Sequence, residues 1–105
     1  MSDTGCEASE PYALQVLDDS MEPEFAKGCV VVIDPAGAIK PGAFVIAWNG
    51  EEYTFRQLWI DPPNLYSLKP LNPNYPVCAL PDLSGIKGIV IQRAGKRRHY
   101  SKRYD

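Results

Sequence analysis

The chain has 105 residues, 45% of them hydrophobic, and a formal net charge of −2 at pH 7. That length fits one domain and is too short for two ordinary ones, and the apolar fraction supports a real but small core. No apolar run reaches the ~18 residues of a membrane span. The polar, acidic stretch from Met1 to Glu10 lacks the basic and apolar regions of a secretory signal, so a cytoplasmic protein is expected.

Taken in chain order, residues 1–11 read as a flexible leader. Its Cys6, together with Cys29 and Cys78, makes an odd and widely spaced set that indicates neither a disulfide framework nor a zinc site. Cys29 and Cys78 lie in apolar runs and read as buried small hydrophobes; no metal or other cofactor is implied. Tyr12–Leu17 is predicted as the first strand. Ser20–Ala26 follows as a turn or single helical turn, with Pro23 suited to a helix start. Lys27-Gly28 turns the chain into Cys29–Asp34, a β-branched strand too apolar to be half-exposed and therefore central. Beyond the loop Pro35–Gly42, strands at Ala43–Trp48 and Glu51–Ile60 flank Asn49-Gly50, which predicts a type I′ turn with positive φ at both residues. Asp61-Pro62-Pro63-Asn64 turns the chain again into a strand at Leu65–Pro70. Asn72–Pro76 is a proline-bounded loop, Val77–Ala79 a short strand, and Ile86–Arg93 the last strand. Ten prolines and eight glycines cut the chain into short pieces with no sustained helical period. The expected class is mostly β, a coiled sheet or partly open barrel with one short helical turn.

Charge is distributed unevenly. Residues 1–92 carry five basic and twelve acidic side chains, whereas residues 93–105 carry Arg93, Lys96, Arg97, Arg98, Lys102 and Arg103 against Asp105 alone. A basic tail over residues 94–105 is suited to nucleic acid or an acidic partner, through Arg93, Lys96, Arg97 and Arg98. The simpler expectation is a tail that folds back on the acidic body. No base-reading motif accompanies it, so any nucleic-acid contact would be sequence-independent and steeply salt-sensitive.

Ser20 is the residue with the most chemistry in prospect. A serine hydroxyl is a poor nucleophile until a base takes its proton, and the oxyanion then needs donors, commonly backbone amides at a tight turn. Ser20 follows a strand and opens a turn, which suits both needs. Taken alone, Asp-Ser-Met-Glu-Pro is equally a helix N-cap.

The surrounding residues add context. Asp19-Ser20-Met21-Glu22-Pro23, followed by Lys27-Gly28 and the apolar strand Cys29–Asp34, resembles the core of the LexA/UmuD-type self-cleaving peptidases. Pro41-Gly42-Ala43-Phe44-Val45-Ile46-Ala47 resembles that family's second glycine-led strand. Gly50–Leu58 resembles its hairpin and dyad strand, Leu71-Asn72-Pro73-Asn74-Tyr75-Pro76 its Asn-Pro-x-Tyr-Pro loop, and Ile86–Ile91 its closing strand. The resemblance covers residues 12–93. It implies a LexA- or signal-peptidase-like β fold, self-association as a homodimer, and a Ser–Lys dyad in which a neutral lysine is the base. Ser20 falls on the nucleophile position, Met21 on the oxyanion turn, and Asp19 and Pro23 on supporting positions. The lysine position falls on Arg56.

That arginine is a departure with consequences. A buried lysine gives up its proton because desolvation disfavours its charge; a guanidinium keeps its proton and can only donate. Lys40, Lys69 and His99 are other bases in the chain, and none matches the dyad position. Strand alternation puts Thr54, Arg56, Leu58 and Ile60 on one face and Tyr53, Phe55, Gln57 and Trp59 on the other, with apolar residues on both. A partly buried Arg56 would need an anion, with Asp18, Asp19 and Glu22 as candidates; the alternative is Arg56 exposed on the sheet. Self-cleaving members also carry an Ala-Gly or Cys-Gly bond well upstream of the serine. Here nineteen residues precede Ser20, and Gly5-Cys6 has the order reversed. No helix-turn-helix domain is present, so an isolated peptidase-like core is expected. Signal peptidases share Ser-Met-x-Pro but act through an apolar anchor, which this chain lacks. The resemblance therefore implies a peptidase-fold domain with an impaired dyad, acting by binding and linked to the DNA-damage response. The alternatives are an active serine peptidase cleaving in trans with a non-standard base, and a nucleic-acid binder through the basic tail.

Overall fold

The computed structural model describes residues 10–62, 65–95 and 100–104. The fold is mostly β, as expected. Its strands are β1 (Tyr12–Gln15), β2 (Val30–Asp34), β3 (Phe44–Trp48), β4 (Tyr53–Asp61), β5 (Leu65–Lys69), β6 (Cys78–Leu80), β7 (Ile86–Ala94) and β8 (Lys102–Arg103). They form one open antiparallel sheet in the order β1-β2-β7-β3-β4-β5-β6, with β8 added to β7. The Cys29–Asp34 segment is internal, lying between β1 and β7. The first strand stops at Gln15 rather than Leu17, and the last runs one residue past Arg93.

Long strands and bulges bend this sheet. One stretch of β7 pairs with β3 and another with β2, and the register shifts at Val32/Ile33 and at Ile46/Ala47. Such bulges increase local twist. Alternation along the strands then feeds two cores. Val45, Ala47, Leu58, Leu68 and Ile89 form one. Val31, Ile33, Ile46 and Val90 form the other, with Val16, Met21, Phe25 and Cys29. The expected pairing of Cys29 and Cys78 as buried residues holds only for Cys29; Cys78 is half-buried at the edge strand. Burial pushes the Cys29 thiol up from its ordinary value.

The β3–β4 connection differs from the expected type I′ turn. Gly50 has φ 103°, but Asn49 does not have positive φ. The side-chain oxygen of Asn49 accepts from the amides of both Glu51 and Glu52, at 2.9 Å each, and Asn49 N donates to Glu52 O at 3.1 Å. That side-chain cap holds a wider loop, closed by the Trp48–Tyr53 pair, without left-handed backbone at Asn49.

Ser20–Phe25 forms a helical turn. Phe25 N bonds to Met21 O at 2.9 Å, and the Glu22–Pro23 peptide is cis. Four residues apart, Met21 and Phe25 point the same way and are both fully buried. Phe25 meets Phe44 and Phe55 edge-on, each at 4.8 Å between ring centroids, and Tyr104 at 5.2 Å. Burial of these rings fixes the turn to the sheet.

The C-terminal segment returns to this turn, and Glu24 is where it docks. Its Oε2 accepts from Tyr104 OH at 2.6 Å, Arg93 Nη1 at 3.0 Å and Lys102 Nζ at 3.0 Å. Arg93 also reaches the Glu24 carbonyl, donates from Nε to Tyr100 O at 2.7 Å and lies over the Tyr100 ring. The Tyr104 hydrogen bond, followed by Lys102 and Arg93, holds the Glu24 carboxyl below its ordinary value. The folded state therefore binds fewer protons than the unfolded chain across the carboxylate range. That stabilisation is complete at neutral pH and disappears as pH falls through the folded value. Glu24→Gln is expected to lower unfolding free energy by about 1 kcal/mol at pH 7, allowing for its partial exposure. The urea midpoints of native and variant protein should converge as pH falls through the carboxylate range.

Candidate functional site

Past Gln15 the chain leaves the sheet edge. Val16 stays pinned, its amide bonded to Cys29 O at 2.8 Å and its carbonyl to Gly28 N at 2.7 Å. Two residues on, Asp18 Oδ1 accepts from Ser20 N at 3.1 Å and from Ser20 Oγ at 2.7 Å. This is the local Asx geometry that aspartate favours at turns. The hydroxyl accepts a third bond, from Arg56 Nη1 at 2.9 Å. Ser20 is only 1% exposed. The N-cap alternative does not apply, because the Ser20 hydroxyl bonds a carboxylate and a guanidinium rather than amides of a helix.

Arg56 reaches Ser20 because of where β5 stops. Pairing of β4 with β5 begins at Gln57, so the strand edge at Thr54–Arg56 is open on that side. Along it Arg56 Nη1 also donates to its neighbour's carbonyl, Phe55 O, at 2.7 Å. The guanidinium lies 5.7 Å from the Tyr75 ring centroid. It is half-buried, and among the described residues no carboxylate forms an ion pair with it. Asp18 faces it across the serine hydroxyl instead.

The loop after β5 closes the site. Asn72 N donates to Ser20 O at 2.9 Å and Asn72 Nδ2 to Asp19 O at 3.2 Å. Tyr75 OH donates to Asp19 Oδ1 at 2.6 Å, a bond that pushes the Tyr75 phenol above its ordinary value. Asp19 thus ties the loop to the serine turn, while Pro23 is exposed at its far side. Among the described residues the Met21 amide has no hydrogen-bond partner, leaving a donor directly after Ser20.

A groove of ≈ 300 Å³ runs between Leu14–Asp18 and Glu52–Arg56, over Val31 and Ile46. Asp18 and Arg56 line it, and Ser20 is not in its wall. Among the described residues no lysine stands by the serine. The Lys69 ammonium lies 4.1 Å from the Trp59 ring centroid, and Lys40 lines a separate cavity with Gly37 and Tyr104. His99 lies outside the described residues, as do Cys6, Lys96, Arg97 and Arg98. Of the basic tail, Arg93 and Lys102 are engaged by Glu24. Among the described residues no helix is long and apolar enough to cross a membrane.

Sequence reasoning placed Ser20 and Arg56 in matching positions, and the structure puts them in hydrogen-bond contact. It missed the bond from Ser20 to Asp18, which it considered only as a partner for Arg56. The signal was present, since aspartate two residues before a hydroxyl residue is a common local acceptor. Nothing local marked Glu24 as the seat of the C-terminal segment.

Known proteins are similar to this chain in sequence. An HTH-type transcriptional regulator for conjugative element SXT from Vibrio cholerae is 41% identical over 88 residues, covering 77% of this chain and 40% of that regulator. The counterpart for conjugative element pMERPH from Shewanella putrefaciens matches to the same extent. Repressor protein C2 of Salmonella phage P22 is 34% identical over 96 residues, 85% of this chain and 44% of the repressor. The chain thus spans less than half the length of these relatives. With its sheet, its serine turn and a match to the Peptidase S24-like family model over residues 2–91, the chain belongs to the Peptidase S24-like family.

Proposed function

We propose that this chain is a peptidase-fold regulatory domain in which the serine is kept and not activated. It acts by binding, as a homodimer, in the control of transcription. One observation carries the reading: at 2.9 Å from Ser20 Oγ stands a guanidinium that donates to the hydroxyl, where a dyad base would have to accept from it. Burial of Ser20 points the same way. The transcriptional role is carried over from the names of the relatives, which are regulators and a repressor. Residues 12–93 would form the binding domain.

The test uses the purified chain and a fluorophosphonate probe between pH 6 and pH 10. No labelling of Ser20 and no self-cleavage are expected. Stoichiometric labelling that vanishes in Ser20→Ala would instead establish an active serine peptidase with an unorthodox base. Sedimentation velocity tests the dimer, which should dissociate on dilution; a monomer at all concentrations removes that part of the proposal.

A further inference from the structure

We infer that Asp18 is a second restraint on Ser20, independent of Arg56, so that a lysine restored at position 56 makes Ser20 only a weak nucleophile while Asp18 is in place. The inference rests on reading Ser20 as an unactivated peptidase serine, and it adds how that state is maintained.

A hydroxyl has one proton. In this chain it is donated to Asp18 Oδ1 at 2.7 Å, while Arg56 Nη1 supplies the opposing bond at 2.9 Å. The serine oxygen is thus held between a carboxylate and a guanidinium. The Ser20 amide, bonded to the same Asp18 oxygen at 3.1 Å, fixes that carboxylate beside the hydroxyl.

Arg56→Lys places an amine where the guanidinium now lies. To act as base, the amine must be neutral and must receive the hydroxyl proton. Asp18 opposes both conditions. Its charge favours the protonated amine, by about 1–3 pKa units for a nearby opposite charge, against the desolvation that would otherwise release the proton. Its oxygen also holds the hydroxyl proton on the side away from position 56. A third effect acts on the product of proton transfer, because the alkoxide would form against a carboxylate. Asp18→Asn removes the charge and retains an oxygen able to accept from the Ser20 amide, so the turn is kept.

Four proteins are compared with the same probe: native, Asp18→Asn, Arg56→Lys, and the double variant Arg56→Lys/Asp18→Asn. In the labelling step Oγ attacks phosphorus, fluoride leaves, and the hydroxyl proton passes to the amine. The double variant is expected to label at pH 7 at least about ten-fold faster than Arg56→Lys, with its pH midpoint lower by about one unit or more. Equal midpoints in the two lysine variants would overturn the inference, because a purely structural Asp18 would leave the pH profile unmoved. Absence of labelling in both up to pH 10 would overturn it equally. Labelling of the native chain, by contrast, would defeat the proposed function and leave the Asp18 comparison to be read separately. Should Asp18→Asn disturb the fold, Asp18→Ser serves as the second uncharged acceptor, judged by the same midpoint.

Discussion

Phe25→Ala is expected to lower the unfolding free energy by about 3–5 kcal/mol, the range for deleting a fully buried aromatic ring. Phe25 has no solvent exposure and sits among Phe44, Phe55 and Tyr104. Removing it opens a void bounded by β3, β4 and the C-terminal segment, three elements that cannot collapse together without breaking strand pairing. A domain of this size has only about 5–15 kcal/mol in total, so the urea midpoint should fall by roughly a fifth or more. Phe25→Leu should recover most of the loss, since it keeps much of the volume. The effect reaches Glu24 as well. Tyr104 packs on Phe25 and bonds Glu24, so the effect of Glu24→Gln should shrink in the Phe25→Ala background. A midpoint change equivalent to under about 1 kcal/mol for Phe25→Ala would contradict this account of how the serine turn is anchored.

Gly88→Ala is expected to be nearly as damaging, at about 3 kcal/mol, for the opposite reason. Gly88 is buried in β7 opposite Ile46, and a Cβ built on it would lie 2.3 Å from Ile33 Cγ2. Ile33 cannot swing aside. It is β-branched, fully buried, and held next to the bulge between β2 and β7. Either β2 shifts away from β7 or the isoleucine leaves its rotamer, and both disturb the core under the serine turn. Thermal unfolding should show a large fall in midpoint. Gly88→Ala with an unchanged midpoint would mean that the strands yield far more easily than their packing implies.

Much of this architecture was legible before any coordinates. Val30–Asp34 and Ile86–Ala94 are dense in β-branched and apolar residues, with Val31, Ile33 and Gly88–Val90 buried and most of their neighbours partly covered, and such runs announce themselves. The order of the five motif blocks fixed where Ser20 and Arg56 lie relative to the strands. Other features depend on contacts that local patterns do not encode. β8 is two residues long and exists only because β7 offers it an edge. The Asn49 loop was misread because an Asn-Gly pair favours two residues of positive φ, whereas the asparagine side chain here caps two amides and relieves its own backbone of that need. Glu24 looked like one more acid in an acidic turn. Its role appears only when Lys102 and Tyr104, far away in sequence, are brought beside it. At the site, parity along β4 assigned Arg56 a face but not its reach along the open edge beyond the end of β5.

The pairing of β2 with β7 has a consequence in time rather than in space. It joins Val30–Asp34 to Ile89–Ala94 across most of the chain. Partners so distant in sequence meet slowly, because loop closure precedes any reward from contact. During synthesis the serine turn leaves the ribosome long before β7 and the residues that seat Glu24. Until those arrive, Phe25 has Phe44 and Phe55 beside it but lacks Tyr104 and the Val90 side of its core, so the serine turn is only partly walled. The quiet state of Ser20 is therefore a late product of folding, acquired by the whole chain at once.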